Sequence, residues 1–225
     1  MTCRTRGLVS ACVLAFLAAG APSAAQAQGL SAQLRDFVQS KSNREAIQQV
    51  ISQQIASWPA ACRQVSFGSK FDVVMLRPAQ FSADGRSPLA GAWKETLEAT
   101  ACGVTRVHNV LSLADRGDIQ RLPMLVGTSR ADIMLQKDAA PLFFIGASRL
   151  VAKECRQNYV TDTQFVTFEG AEIPTAKAGP KSRAWSEEWT LWSCGRLIVV
   201  PIRFIPDATG TAISVSHGGV REKQP

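Results

Sequence analysis

Ala92-Trp93-Lys94-Glu95-Thr96-Leu97-Glu98-Ala99-Thr100-Ala101-Cys102-Gly103 is echoed 92 residues later by Ala184-Trp185-Ser186-Glu187-Glu188-Trp189-Thr190-Leu191-Trp192-Ser193-Cys194-Gly195. Upstream, Cys62-Arg63-Gln64 recurs as Cys155-Arg156-Gln157, with Cys-to-Trp gaps of 31 and 30 residues and Trp-to-Cys gaps of 9 in both places. Self-similarity at a fixed offset dictates architecture before any residue-level reading. It predicts two tandem units, residues 28–127 and 128–217, followed by a flexible tail over 218–225.

Within the echoed stretches the side chains alternate as strands do. Trp93, Glu95, Leu97 and Ala99 share one face and Lys94, Thr96 and Glu98 the other; Trp185, Glu187, Trp189 and Leu191 oppose Ser186, Glu188 and Thr190. Working outward, Leu30 to Trp58 reads as helix broken near Lys41-Ser42, with Ser42 or Asn43 capping its second part and Pro59 ending it. Strands are expected at 63–76, 91–101, 104–113 and 120–126, with a Pro/Gly loop over 77–90. The order then repeats: a helix capped at Thr128 or Ser129, kinked at Pro141 and ending near Lys153, then strands at 157–168, 183–193, 196–205 and 210–216, with a loop over 170–182. The expected class is α+β, as two tandem repeats of a helix plus a four-stranded antiparallel sheet. In element order alone each repeat resembles the cystatin-like helix-on-sheet fold.

Residues 1–27 read as a secretory signal: Arg4 and Arg6, an apolar run from Leu8 to Ala19, and Ala25-Gln26-Ala27 as cleavage site. That run is too short to span a bilayer, and no later segment is apolar enough, so the mature chain is expected to lack a transmembrane segment and to be periplasmic or secreted. Val9-Ser10-Ala11-Cys12 imitates a lipoprotein box, but the apolar region lies on the wrong side of Cys12. The mature chain keeps Cys62, Cys102, Cys155 and Cys194. An even count in an exported chain implies disulfides, and the duplication selects Cys62–Cys102 and Cys155–Cys194. In an antiparallel meander both pairs fall at one end of their sheet, within bridging reach. Spacings near 40 and the lack of a C-x-x-C pair argue against a metal site, and no cofactor is expected.

The formal charge of +7 is dispersed, without the basic-aromatic run of a nucleic-acid surface. Histidine offers little, since His108 and His217 stand far apart and no G-x-S-x-G elbow supplies a nucleophile. Glu95 and Glu187 are the polar residues of most interest, because they fall on the apolar face, where an unpaired carboxylate is costly. One reading pairs them structurally with Arg63 and Arg156; the other makes them general acids or bases in a pocket. Trp192, on the polar-facing side, marks either an interface or a ligand site. The long loops, with Gln80, Phe81, Asp84 and Arg86 in the first and Glu172, Lys177, Lys181 and Arg183 in the second, are the least constrained surfaces. Together these features suggest a non-enzymatic exported module that binds an envelope protein or small ligand. A hydrolase or isomerase using Glu95 or Glu187, and a loop-presenting inhibitor of a periplasmic enzyme, are the alternatives.

Overall fold

A computed structural model of the chain describes residues 30–58, 64–174 and 181–223. The expected signal segment and Cys62, Arg63 and Lys177 lie outside the described residues. The N-terminal helical stretch is two helices, α1 (Ala32–Gln39) and α2 (Lys41–Ala56). Ser40, in an extended conformation, ends the first and caps the second by accepting a hydrogen bond from the Asn43 N–H. The cap is thus Ser40 rather than Ser42 or Asn43, and Asn43 is instead buried.

The strands β1 (Val65–Phe81), β2 (Pro88–Ala101), β3 (Val104–Asp115) and β4 (Asp118–Pro123) form a four-stranded antiparallel sheet in chain order. After α3 (Ile133–Ala147), β5 (Asn158–Pro174), β6 (Lys181–Ser193), β7 (Arg196–Pro206) and β8 (Thr211–Val215) form the second meander, and β9 (Arg221–Lys223) adds to β7. The C-terminal segment expected as a flexible tail is therefore part of the second sheet as far as Lys223. It is held there by ion pairs of Arg196 with Glu222 and Arg221 with Glu188.

β1 and β5 run further than their sequence suggests. Pro78 is tolerated because β1 is an edge strand and the pairing register shifts between Arg77 and Gln80, where a ladder bond is not required. The loop expected over 77–90 shrinks to six residues, 82–87, in which the Asp84 carboxylate accepts from the Ser82 hydroxyl and the Arg86 N–H. At the opposite end, Cys102-Gly103 and Cys194-Gly195 close two-residue hairpins with positive φ at both positions (52° and 72°; 45° and 89°), the geometry of a type I′ turn. Cys194 is bonded to Cys155 with the Cα atoms 5.8 Å apart.

Each sheet buries one face under its helices. Ile47, Ile51 and Ile55 of α2 pack on Leu97, Ala99 and Val110, while Leu34 and Val38 of α1 pack on Trp93 and Ala114. In the second sheet Ala139, Phe143 and Ala147 of α3 meet Trp185, Trp189, Ile198, Val200 and Phe204.

The connector from Met124 to Ala131 joins the two layers, and it is bonded to both. The Met124 and Gly127 N–H groups donate to Asn109 O and Val107 O of β3, and the Thr128 N–H donates to Thr163 O of β5. Its carbonyls are satisfied by side chains: Asn109 Nδ2 donates to Leu125 O and Gly127 O, Thr163 Oγ1 to Val126 O, and Gln54 Nε2 to Met124 O. Gln136 of α3 completes the set, accepting from the Leu125 N–H and donating to Ala131 O. Because residues 128–131 are used in this way, α3 is capped by Asp132, not by Thr128 or Ser129.

Gly127 has φ +110°, and a Cβ there would lie 2.0 Å from Thr163 O and 2.5 Å from Thr163 N. Neither neighbour can yield, since both are backbone. Gly127→Ala should therefore cost more than about 3 kcal/mol, read as a lower urea midpoint; an unchanged midpoint would refute the close approach.

His108, in β3 and fully buried, meets Gln54 Oε1 through Nδ1 at 3.1 Å and lies beside the Trp58 ring. Burial, with help from the Arg106 charge, lowers its pKa from 6.5 to about 4. Between those values the unfolded chain binds a proton that the native chain refuses, so this contribution is complete above pH 6.5 and is lost on acidification. The Glu95 carboxyl, raised by burial, acts in the opposite sense, favouring the native state at low pH. Unfolding measured from pH 7 to pH 4 should show a decline that is smaller in His108→Gln by up to about 3 kcal/mol. Parallel profiles would exclude His108 as its source.

Candidate functional site

The outer face of the first sheet, away from α1 and α2, is not covered by a helix. Strand alternation places Asp72, Val74 and Leu76 of β1, Lys94 and Thr96 of β2, and Val107, Asn109 and Leu111 of β3 on this face. The connector and the start of α3, from Met124 to Ile133, rise beside it as a wall. Floor and wall enclose a half-open groove of about 530 Å³.

The groove is mostly apolar, with Val74 and Leu76 exposed along it. Its polar groups differ in how far they are already engaged. Asn109 accepts from the Thr96 hydroxyl at 3.0 Å and donates to the connector. The Asp132 carboxylate caps α3 at the Leu135 N–H, and that of Asp72 accepts from the Val73 N–H. The Arg130 guanidinium lies over the rings of Phe165 and Phe168, 5.5 and 4.7 Å from their centroids. Lys94 is the exception. It is half-buried between its cross-strand neighbours Val74 and Leu111, and among the described residues no carboxylate comes within ion-pair distance of it.

Glu95 and Glu187 are elsewhere. Both are fully buried on the helix-facing sides of their sheets, and neither lines the groove or the two smaller clefts. Glu95 accepts from Trp93 Nε1 (2.8 Å), Asn43 Nδ2 (2.6 Å) and Ser112 Oγ (2.9 Å). Glu187 accepts from Trp185 Nε1, Trp189 Nε1 and the Arg130 N–H, each at 2.8 Å. In both, the indole two residues earlier on the same face supplies a donor.

The arginine expected beside Glu187 is not among its donors. Arg156 is exposed near the disulfide, at the start of β5, whereas Glu187 pairs across with Phe165 deep in the sheet. The charge that does favour ionised Glu95 is that of Arg121 on β4, which donates to Asn43 Oδ1 at 2.8 Å. Burial nevertheless dominates and raises the Glu95 carboxyl above its ordinary range.

The remaining candidates are dispersed. Trp192 is half-buried against Tyr159, with ring centroids 5.8 Å apart, and Tyr159 in turn packs on the core under α2. That is an interlayer contact. Arg183 donates to Gly170 O and lies over Phe168, and Lys181 opens β6. None of the three lines the groove. Sequence reasoning missed Asn43, Arg121 and Arg130 because their contacts join segments 52, 78 and 57 residues apart. The groove itself left a trace: Phe71-Asp72-Val73-Val74-Met75-Leu76 is apolar on both faces of its strand, as expected where both faces are covered.

Compared with known proteins, the chain matches no family model, no curated protein and no solved structure. Among the described residues there is no group of three or more His, Cys, Asp or Glu side chains placed to hold a metal ion, and no helix long and apolar enough to cross a membrane.

Glutamine in place of either glutamate turns one acceptor into a donor facing an N–H or O–H. Glu95→Gln and Glu187→Gln should each lower stability by about 1–3 kcal/mol, measured by urea denaturation. Wild-type midpoints in both would show that the carboxylates do not hold the cores.

Proposed function

We propose that this is an exported, non-enzymatic binding protein, built by tandem duplication of a helix-plus-sheet unit, which takes a small apolar ligand in the groove on the outer face of its first sheet. The groove carries the reading. Its volume of about 530 Å³ falls within the range of small-molecule sites, and its apolar lining with few polar groups has their character. The buried, fully engaged state of Glu95 and Glu187 gives a catalytic role for either no support.

Duplication is supported by the common strand order of the two sheets, by the indole–carboxylate bond of 2.8 Å in each, and by the Cys-Gly hairpin with positive φ in each. On this reading Cys62 bridges to Cys102 as Cys155 does to Cys194. Export to the periplasm is supported by the charged, apolar and small-residue pattern of residues 1–27 and by a disulfide, which persists in oxidising compartments. The ligand then belongs to the cell envelope.

The neutral fluorescent probe N-phenyl-1-naphthylamine should bind the mature protein saturably, one per chain. Val74 and Leu76 are exposed, so the double variant Val74→Asp/Leu76→Asp should fold normally and bind the probe at least about tenfold more weakly. A linear, unsaturable response in the wild type, or equal binding in the variant, would remove the groove as the site.

A further inference from the structure

We infer that the groove is selective for a single-chain anionic amphiphile of the fatty-acid type, with its carboxylate on the Lys94 ammonium and its chain along Val74, Leu76 and Leu111. This rests on the groove being the ligand site and adds the chemistry that it selects. Lys94 sits on the groove floor with apolar neighbours on both adjacent strands, Val74 on β1 and Leu111 on β3. An ammonium in such surroundings gains from an anion that enters with it, because the apolar walls displace the water that would screen the pair.

The outer face of the second sheet shows what happens where no ligand is needed. The position 92 residues after Lys94 is Ser186, which is hydrogen-bonded to Glu169. Charges on that face are matched within the chain: Glu169 pairs with Arg203, and both oxygens of Glu188 accept from Arg221 at 2.8 and 2.9 Å. On the first sheet the two acids of the groove have local hydrogen bonds and are exposed at its margin, while the cation is on the floor. Asp72 is the diagonal neighbour of Lys94 across β1 and β2, so it opposes an incoming anion and sets how strongly the site prefers one.

The test is displacement of bound N-phenyl-1-naphthylamine by dodecanoate, dodecanol and dodecylammonium, each below its micelle concentration, with direct calorimetry of dodecanoate. The wild type should bind dodecanoate about tenfold or more tightly than dodecanol, and dodecylammonium most weakly. Lys94→Met should abolish the preference for dodecanoate while leaving dodecanol unchanged, and Asp72→Asn should increase it. Saturable binding of probe and alcohol with no charge preference, or a preference that survives Lys94→Met, would overturn the inference and leave the groove as an apolar site. Absence of saturable binding for every compound would overturn both.

Discussion

Two backbones meet at Gly127 with no room for a side chain between them, and much of the molecule's arrangement follows from that contact. The connector can reach β5 only because a residue without Cβ passes Thr163. Once there, it is bonded on one side to β3 and on the other to β5, so the two sheets are held by main-chain hydrogen bonds. A buried loop is ordinarily costly, because its peptide groups lose water without finding ladder partners. Here Gln54, Asn109, Gln136 and Thr163 supply the missing partners. The same segment then forms the groove wall, which makes the shape of the candidate site a consequence of packing between the layers.

The buried glutamates belong to this scheme. A carboxylate inside a core costs several kcal/mol unless its lone pairs are engaged. Each sheet engages them first with the indole two residues earlier, whose N–H points along the strand toward it. The other donors differ between the sheets, and the difference is informative. Glu95 draws on Asn43, which fixes the start of α2 against β2. Glu187 draws on the Arg130 N–H, which fixes the end of the connector against β6. Both carboxylates therefore anchor the segment that leads into a helix, and the second also anchors the segment that walls the groove.

Sequence reading captured the local physics and lost what depends on distant partners. Period-two alternation around Trp93 and Trp185 identified the buried faces, Cys-Gly marked the hairpins, and meander geometry located Cys155 beside Cys194. Breaker residues misled it. Pro78 and Gly170 read as loop, yet each lies in a long edge strand at a bulge, where an irregular residue costs little. The tail reads as polar and glycine-containing, and only its ion pairs to Arg196 and Glu188 show why it is ordered. The groove was the least legible feature, because its wall is a connector whose partners come from α2, β3, α3 and β5. Lys94 was placed on the outer face but had no visible distinction from Thr96 or Glu98 until its neighbours were known.

The difference between the two outer faces is where a duplicated frame would be expected to diverge. At the position of Asn109, which secures the connector over the first sheet, the second sheet has Pro201, 92 residues later. Proline has no side-chain amide to hold a loop, yet its carbonyl still accepts the Ser216 N–H as that of Asn109 accepts the Met124 N–H. The main-chain contact is kept and the side-chain function is not. After it the chain turns back as β9, bringing Arg221 across to Glu188 and neutralising that face. The first connector instead continues to β5, so no returning strand brings an acid to Lys94. Core residues and hairpins are constrained alike in both sheets by burial and backbone geometry. The path taken after the fourth strand is free to vary, and its two outcomes leave one face closed by its own charges and the other open with a cation on its floor.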